Sequence, residues 1–280
     1  MLAVQLLLLT ATVSAATARR LNAFGADDVP NGLMSSFVEV RGRYKCGGTA
    51  LSGGWVISAA HCVVDNDRNL LSRSISFTVH DHNGMEEVID PTGKTRIYIP
   101  DTYHPSMKSD KDMYEGDIAL LHVPELADRT DIAYPRLPSS IEDLDAAPIL
   151  VAVGVGDTGA GSPADELEFV SITSRGRGGT APDGVEVEND HFVAVDRGGE
   201  RQATCQGDSG GGVFIPHSKW DEFTDDVEID RHDLLLTNDR DVLVGITSWG
   251  PEKCGGPVSY GAYTDVSIWL DWIEDVMSRE

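Results

Sequence analysis

Short runs of β-forming residues recur along most of the chain and alternate with clusters of glycine, proline, asparagine and aspartate. Examples are "SFVEV", "GWVISAA", "ISFTV", "RIYIP", "DIALLHV", "ILVAVGVG", "HFVAV" and "DVLVGITSWG". Short strands separated by turn-forming residues are typical of β-barrels and β-sandwiches. The pattern therefore predicts an all-β fold.

One segment near the C-terminal end has a helical period instead. In "DVSIWLDWIEDVM" the large apolar side chains are spaced three and four residues apart, and they are Val266, Trp269, Leu270, Ile273 and Val276. Because this spacing places side chains on one face of an α-helix, we expect the helix to dock on the β-body through that face.

Two polar stretches interrupt the β-rich pattern. Residues 124–148 are rich in proline and charge, and we expect them to cross between two halves of the chain. The segment 216–240 carries six acidic residues within ten positions, namely Asp221, Glu222, Asp225, Asp226, Glu228 and Asp230. Such a run is usually a solvated loop, and a contact with a cation or a substrate is the alternative.

The composition is that of a globular and strongly acidic protein. Of 280 residues, 41% are hydrophobic, and 46 acidic against 22 basic residues give a formal net charge of −24. Nucleic acids and anionic membranes bind clustered Lys and Arg, so the charge argues against both as partners.

The N-terminus indicates secretion. Residues 1–15, "MLAVQLLLLTATVSA", form a short apolar stretch that ends in small residues, as a secretory signal peptide does. No later segment is long and apolar enough to predict a membrane span. In the oxidising extracellular compartment the four cysteines are expected to form disulfides, and three pairings are open.

Three residues in separate motifs are candidates for catalysis. Ser209 lies in "TCQGDSGGGVF", His61 follows an apolar strand in "WVISAAHC", and Asp117 directly precedes the apolar run "DIALLHV". A serine hydroxyl is a weak nucleophile until a neighbouring base accepts its proton, and the base in turn needs an orienting group. Taken together, the three residues predict nucleophilic catalysis.

In order and context, "AAHC", "DIALL" and "GDSGG" resemble the chymotrypsin and trypsin family of secreted serine peptidases, as do "YHP", "SWG" and "YTDV" elsewhere in the chain. The resemblance covers nearly all of residues 21–280. It implies two packed six-stranded antiparallel β-barrels with a C-terminal α-helix. We expect the N-terminal barrel at about 21–130 and the C-terminal barrel, with the helix, at about 146–280.

The resemblance also implies a role for each candidate. Ser209 is the expected nucleophile, His61 the general base and acid, and Asp117 the residue that orients the imidazole and stabilises its cation. The backbone N–H groups of Gly207 and Ser209 are expected to form the oxyanion hole. By the same resemblance, the expected disulfides join Cys46 to Cys62 and Cys205 to Cys254.

Activation is expected to follow the family's zymogen route. Cleavage after Arg20 would remove a short propeptide, residues 16–20, and the new amino group of Leu21 would pair with Asp208. The sequence "LNAF" departs from the family's usual start of two apolar residues followed by two glycines.

The resemblance places Ala203 at the floor of the pocket that receives the side chain before the cut, the P1 residue. Other expected pocket residues are Ser248, Trp249, Gly250 and Gly261. No carboxylate stands at the floor, so the pocket is expected to be neutral and to prefer aromatic or large aliphatic side chains over Lys and Arg.

The expected partners are protein or peptide substrates and protein inhibitors, and the chain is expected to be a monomer with no metal or other cofactor. A catalytically inactive homologue that acts as a binding module is the alternative. An α/β-hydrolase esterase, which "GDSGG" also fits, is disfavoured because its acid and histidine should follow the serine in the chain. Labelling of Ser209 by a fluorophosphonate would separate enzyme from binding module.

Overall fold

The computed structural model describes residues 26–29, 33–65, 69–71, 75–80, 86–89, 93–103, 115–127, 129–157, 164, 166–197, 203–216, 240–251 and 253–280. The predicted signal peptide and propeptide, Leu21 and most of the acidic segment 216–240 lie outside the described residues. Among the helices that are described, none is long and apolar enough to cross a membrane.

Fourteen strands and two α-helices make up the described chain. The strands are β1 (Asp27–Asp28), β2 (Phe37–Arg41), β3 (Lys45–Leu51), β4 (Trp55–Ser58), β5 (Ser76–His80), β6 (Glu86–Ile89), β7 (Arg96–Tyr98), β8 (Ala119–His122), β9 (Leu150–Gly154), β10 (Glu168–Thr180), β11 (Glu186–Asp196), β12 (Gly212–Ile215), β13 (Val242–Trp249) and β14 (Gly261–Asp265). The helices are α1 (Glu142–Ala146) and α2 (Leu270–Met277). The predicted all-β class is confirmed.

The N-terminal half forms one antiparallel sheet with the strand order β6-β5-β2-β3-β4-β8-β7. It is a half-barrel of seven strands in the described chain, where the resemblance implies a six-stranded barrel. All four residues of β4 are buried, which shows that this strand is covered on both faces. A run of Trp, Val and Ile suits such a position because β-branched and aromatic side chains pack well on a pleated surface.

The C-terminal half closes into the expected six-stranded barrel. Its strands follow the order β10-β11-β14-β13-β12-β9, and β10 also pairs with β9, which closes the ring. The short strand β1 is added to this barrel through β10. Strands β10 and β11 are the longest strands of the ring. Closure of the ring leaves few exposed sheet edges.

The two halves approach each other closely at Gly47 of β3. Its backbone N–H donates a 2.7 Å hydrogen bond to the carbonyl of Ser209 in the other half. A Cβ added at Gly47 would lie 2.9 Å from the backbone of Gly211, which is closer than real Cβ contacts allow. Glycine at position 47 therefore permits the contact that brings the Ser209 loop onto the N-terminal sheet.

The C-terminal segment begins as a 3₁₀ turn, Val266–Trp269, and continues as α2. The Asp265 side chain caps the turn by accepting a 2.9 Å hydrogen bond from the backbone N–H of Ser267. Val266, Ile273 and Val276 are at most 1% exposed and pack into the core, as the apolar spacing predicts.

Candidate active site

Strand pairing brings His61 and Asp117 together at one end of the paired strands β4 and β8. His61 lies in a 3₁₀ turn, Ala60–Cys62, shortly after β4, and Asp117 lies shortly before β8. Strands β4 and β8 pair antiparallel with Ser58 opposite Ala119. The end of one strand therefore meets the start of the other, and residues 56 positions apart in the chain become neighbours.

His61 and Asp117 are joined by two hydrogen bonds. Nδ1 of His61 lies 2.8 Å from Oδ2 of Asp117, and the backbone N–H of His61 donates to Oδ1 at 2.9 Å. The Asp117 side chain is fully buried, whereas that of His61 is 24% exposed. One nitrogen of the imidazole is thus held by the carboxylate, and the ring keeps a solvent-facing edge.

The carboxylate controls the titration of the imidazole. Burial by itself lowers the pKa of His61, but the charge and hydrogen bond of Asp117 outweigh it, so the pKa lies above its ordinary value of 6.5. Burial raises the pKa of Asp117, and the opposing effects of His61 and the Ser248 hydroxyl bring it below the usual range. Asp117 is therefore ionised at neutral pH, as an orienting group for a base must be.

Ser209 lies in the loop before β12, next to the His61 turn. Its carbonyl accepts from Gly47 and lies 3.6 Å from Sγ of Cys62, the residue after His61. The loop is also bound to its own barrel, because the Gly210 N–H donates a 2.7 Å hydrogen bond to the Thr247 carbonyl. Ser209 itself is partly exposed.

Two backbone donors beside Ser209 have no acceptor within the described chain. The neighbouring N–H groups of Asp208, Gly210 and Gly211 all donate to carbonyls, but those of Gly207 and Ser209 donate to none of the described atoms. Gly207 has a φ of +100°, a conformation that favours glycine, and its Cα side faces Gly156. Two such donors, two positions apart in one loop, can bind an anionic oxygen.

Asp208 is directed away from Ser209 into its own barrel. Its carboxylate accepts 2.7 Å hydrogen bonds from the N–H groups of Gly156 and Cys205. Burial raises the pKa of Asp208 to about 6, although the two hydrogen bonds and the charge of Lys45 lower it. Among the described residues no basic side chain forms a salt bridge with Asp208.

Asp208 also lines a small cavity together with Ala26. The cavity has a volume of about 20 Å³, which is enough for one water molecule. Ala203 and Phe169 contribute to the same wall. Ala26 therefore lies near the Asp208 carboxylate.

The expected P1-pocket residues gather around the ends of β13 and β14. Trp249 is paired with Ala262, next to Gly261, and its ring meets that of Tyr260 edge-on at 6.0 Å. A Cβ at Gly261 would lie 2.3 Å from the Tyr263 hydroxyl, so glycine leaves room for that ring. Ala203 is 6% exposed and precedes Thr204, whose hydroxyl lies 3.2 Å from the same Tyr263 hydroxyl.

The hydroxyl of Ser248, one of the expected pocket residues, contacts Asp117. It donates to Oδ2 at 2.5 Å, while the Thr264 hydroxyl donates to the Asp117 carbonyl at 2.8 Å. Behind them lies a buried pair, Asp190 and His191, that the sequence analysis did not single out. The available signal was a histidine inside the apolar run "HFVAV", because a buried imidazole requires partners.

The structure contains two disulfides, Cys46–Cys62 and Cys205–Cys254, the same pairs that the resemblance implies. The first anchors the His61 turn to β3, and the second anchors the Ser209 loop to the segment after β13. Cys46, His61 and Cys62 are the one group of three potential metal ligands in the described ranges. Because both sulfurs are in a disulfide, the group offers no thiolate and does not form a metal site.

Comparison with known proteins agrees with this geometry. The family model "Trypsin" matches residues 25–273. Kallikrein-1 of Mus musculus is 28% identical over 248 residues, covering 85% of this chain and 82% of its own length. Kallikrein 1-related peptidase b5 of Mus musculus is 26% identical over 247 residues with the same coverage. Renal glandular kallikrein of Mastomys natalensis is 27% identical over 247 residues, again at 85% and 82%.

The family match spans both halves of the molecule and contains the His61 turn, Asp117 and the Ser209 loop. A two-part β-fold, the two disulfides and the family match over most of the chain lead to one conclusion. The chain belongs to the trypsin family of serine endopeptidases.

Proposed function

We propose that the protein is a secreted serine endopeptidase whose nucleophile is Ser209, with His61 as general base and Asp117 as the orienting carboxylate. The observation that carries the proposal is the pair of vacant N–H donors at Gly207 and Ser209. They lie in the loop that hydrogen-bonds to β3, beside a histidine already held by a buried carboxylate. A structural serine in a turn would not require donors left without acceptors.

The proposed reaction proceeds in two halves. His61 accepts the Ser209 proton as the oxygen attacks the peptide carbonyl, and the two N–H groups stabilise the resulting oxyanion. His61 then donates that proton to the leaving amine, which leaves an acyl group on Ser209. A water molecule, deprotonated by His61, attacks the acyl group; His61 then returns this proton to the Ser209 oxygen as the acyl bond breaks and the second product leaves. Asp117 remains ionised throughout and stabilises the transient imidazolium.

The function is tested by labelling with a fluorophosphonate, which reacts only with an activated serine. We expect the processed protein to be labelled at Ser209, the Ser209→Ala variant to remain unlabelled, and the full precursor to react poorly. N-terminal sequencing of the labelled form is expected to begin at Leu21. A processed, folded protein that takes no label would instead support the inactive binding module.

The expected zymogen route gives Asp208 its function. A buried carboxylate with no salt bridge to a described basic residue is costly, and the amino group created by cleavage would supply a partner of opposite charge. The shared cavity of Ala26 and Asp208 supports this route, because Ala26 lies only five residues after Leu21. Pairing would hold the Ser209 loop and its vacant N–H groups in place.

We propose a P1 preference for aromatic or large aliphatic side chains. Ala203 supplies no negative charge at the pocket floor, so a buried Lys or Arg would lack a partner, whereas an apolar side chain gains from leaving water. The preference is expected to be roughly ten- to hundredfold in kcat/KM.

A peptide-library cleavage profile measures this preference. We expect cuts after Phe, Tyr or Leu, and a shift toward Arg and Lys in the Ala203→Asp variant. Dominant cleavage after Arg or Lys by the unchanged protein would contradict the assignment of the pocket and leave the catalytic mechanism intact.

Secretion, a monomeric state and binding of protein inhibitors belong to the same proposal. The signal-like residues 1–15 and the two disulfides support an extracellular location. Protein or peptide substrates follow from the family, and the acidic surface favours approach by basic rather than acidic partners.

A further inference from the structure

A second histidine–carboxylate pair lies directly behind Asp117. Nδ1 of His191 is 2.8 Å from Oδ1 of Asp190, and the His191 side chain is fully buried. The other oxygen of Asp190 accepts a 2.8 Å hydrogen bond from the N–H of Gly116, the residue before Asp117. The proposed mechanism assigns no role to this pair.

Two hydroxyl groups connect this second pair to Asp117. Nε2 of His191 lies 3.2 Å from the Ser248 hydroxyl oxygen and 3.2 Å from that of Thr264. The same hydroxyls make the shorter contacts with Asp117 described above, at 2.5 and 2.8 Å. The hydrogen bonds run from Asp117 through the hydroxyls and His191 to Asp190, and from Asp190 to Gly116. The peptide bond between Gly116 and Asp117 closes the ring.

Counting hydrogens assigns the protonation of His191. A hydroxyl has one hydrogen, and the shorter contacts assign those of Ser248 and Thr264 to Asp117. Both oxygens can then only accept from Nε2, so Nε2 must carry a hydrogen. On the other side of the ring, one hydrogen must lie between Nδ1 and the Asp190 carboxyl. The pair is therefore electrically neutral, as an imidazolium with a carboxylate or as an imidazole with a carboxylic acid.

This arrangement has a consequence for Asp117. If Nε2 presented a lone pair instead, it would compete with Asp117 for the hydroxyl hydrogens of Ser248 and Thr264. If His191 were absent, Asp190 would be a buried carboxyl close to Asp117 with one backbone donor, and its ionisation would add a like charge. His191 prevents both effects.

We propose that Asp190 and His191 form a neutral positioning unit for the catalytic carboxylate: Nε2–H of His191 donates to the Ser248 and Thr264 hydroxyls, which in turn direct their hydrogens to Asp117. The proposal rests on the proposed function of Asp117. His191 is a positioning residue in it, because it acts on the carboxylate only through the two hydroxyls.

Nitrogen NMR of the full chain, labelled with ¹⁵N-histidine, tests the protonation state without any activity measurement. The chain has eight histidines, and the His191 signals are assigned by their loss in His191→Met. We expect Nε2 to carry a slowly exchanging hydrogen at pH 8. An Nε2 without hydrogen at that pH, with the single hydrogen on Nδ1, would overturn the proposal.

Kinetics of the processed enzyme test the positioning role. His191→Met is expected to lower kcat about tenfold with little change in KM, the size of effect that one hydrogen bond to a charged group supports. It should also move the acidic limb of the pH profile to higher pH, because an ionised Asp190 favours the His61 cation. A second substitution, Asp190→Asn, removes that charge and should restore most of kcat and the original limb.

Two controls separate this test from a failure of the function or of folding. His122→Met alters a different histidine, which is partly buried and packs on the Trp55 ring, and should leave kcat unchanged. If Ser209→Ala were as active as the unchanged enzyme, the proposed function would fail, while the NMR result would still decide the protonation of His191. A His191→Met enzyme that is folded and retains full kcat and the original pH profile would refute the positioning role.

Discussion

The Asp117→Asn variant is expected to hydrolyse peptide substrates on the order of 10⁴-fold more slowly than the unchanged enzyme, the size of loss that this change causes in the trypsin family. The carboxylate holds Nδ1 of His61 at 2.8 Å, and in the proposed mechanism the other nitrogen accepts the Ser209 proton. An amide can present its NH₂ group to Nδ1 and favour the wrong tautomer. It also cannot stabilise the imidazolium as an ionised carboxylate does.

The pH profile of kcat/KM gives an independent measure of the same interaction. Activity requires neutral His61, and Asp117 holds the pKa of His61 above 6.5, so the activity of the unchanged enzyme should fall as pH drops through a value above 6.5. In Asp117→Asn the effect of burial remains and the opposing charge is lost. The acidic limb of the pH profile of the variant's residual kcat/KM should therefore move to lower pH.

Folding must be checked because Asp117 is buried and accepts several hydrogen bonds. Circular dichroism and the thermal midpoint of the variant provide that check. A folded Asp117→Asn enzyme within tenfold of the original rate, with its acidic limb unmoved, would show that Asp117 is not the orienting carboxylate.

Replacing Gly207 by alanine is expected to lower kcat by roughly 10²- to 10³-fold, which is the usual loss when one oxyanion donor is removed or displaced. At a φ of +100° a side chain is strained, and the new Cβ would lie 3.1 Å from Cα of Gly156. Relief of this contact shifts the peptide that carries the Gly207 N–H. Because the donor acts on the transition state, KM should change much less than kcat.

Gly176→Ala is a matched control for the backbone strain. Gly176 has a φ of +103°, and a Cβ there would meet nothing within 4 Å. Both variants should lose roughly 1–3 kcal/mol of folding free energy from the strained conformation, as measured by urea unfolding. Only Gly207→Ala should lose activity. Equal rates for the two variants would remove Gly207 from the proposed oxyanion hole.

Much of the candidate site follows from local sequence. Glycines flank Ser209 because neighbouring backbone approaches too closely for side chains there. An apolar strand precedes His61 and another follows Asp117, because each residue lies at the end of a buried strand. Motifs of this kind can be recognised because the chemistry constrains several adjacent positions at once.

Other features of the site depend on contacts between residues that are distant in the chain. The family resemblance places Ser248 in the expected substrate pocket, but only the structure shows that its hydroxyl donates to Asp117. His191 is a polar residue in a strand beside its partner Asp190, and its two hydroxyl partners come from residues 57 and 73 positions away. Register between β11 and β14 places it opposite Thr264, and that register depends on how the whole barrel closes.

The amino-acid sequence alone therefore determined the β-rich class, the terminal helix, the acidic character of the chain and the residue types available for acyl transfer, because each depends on periodicity, composition or a short motif. Only the tertiary structure decided which hydroxyls meet Asp117, which N–H groups near Ser209 have no acceptor among the described residues, and which buried pair lies behind the carboxylate. These contacts join residues that are distant in the chain, and their geometry is set by strand pairing and by the close approach of the two halves rather than by any local preference.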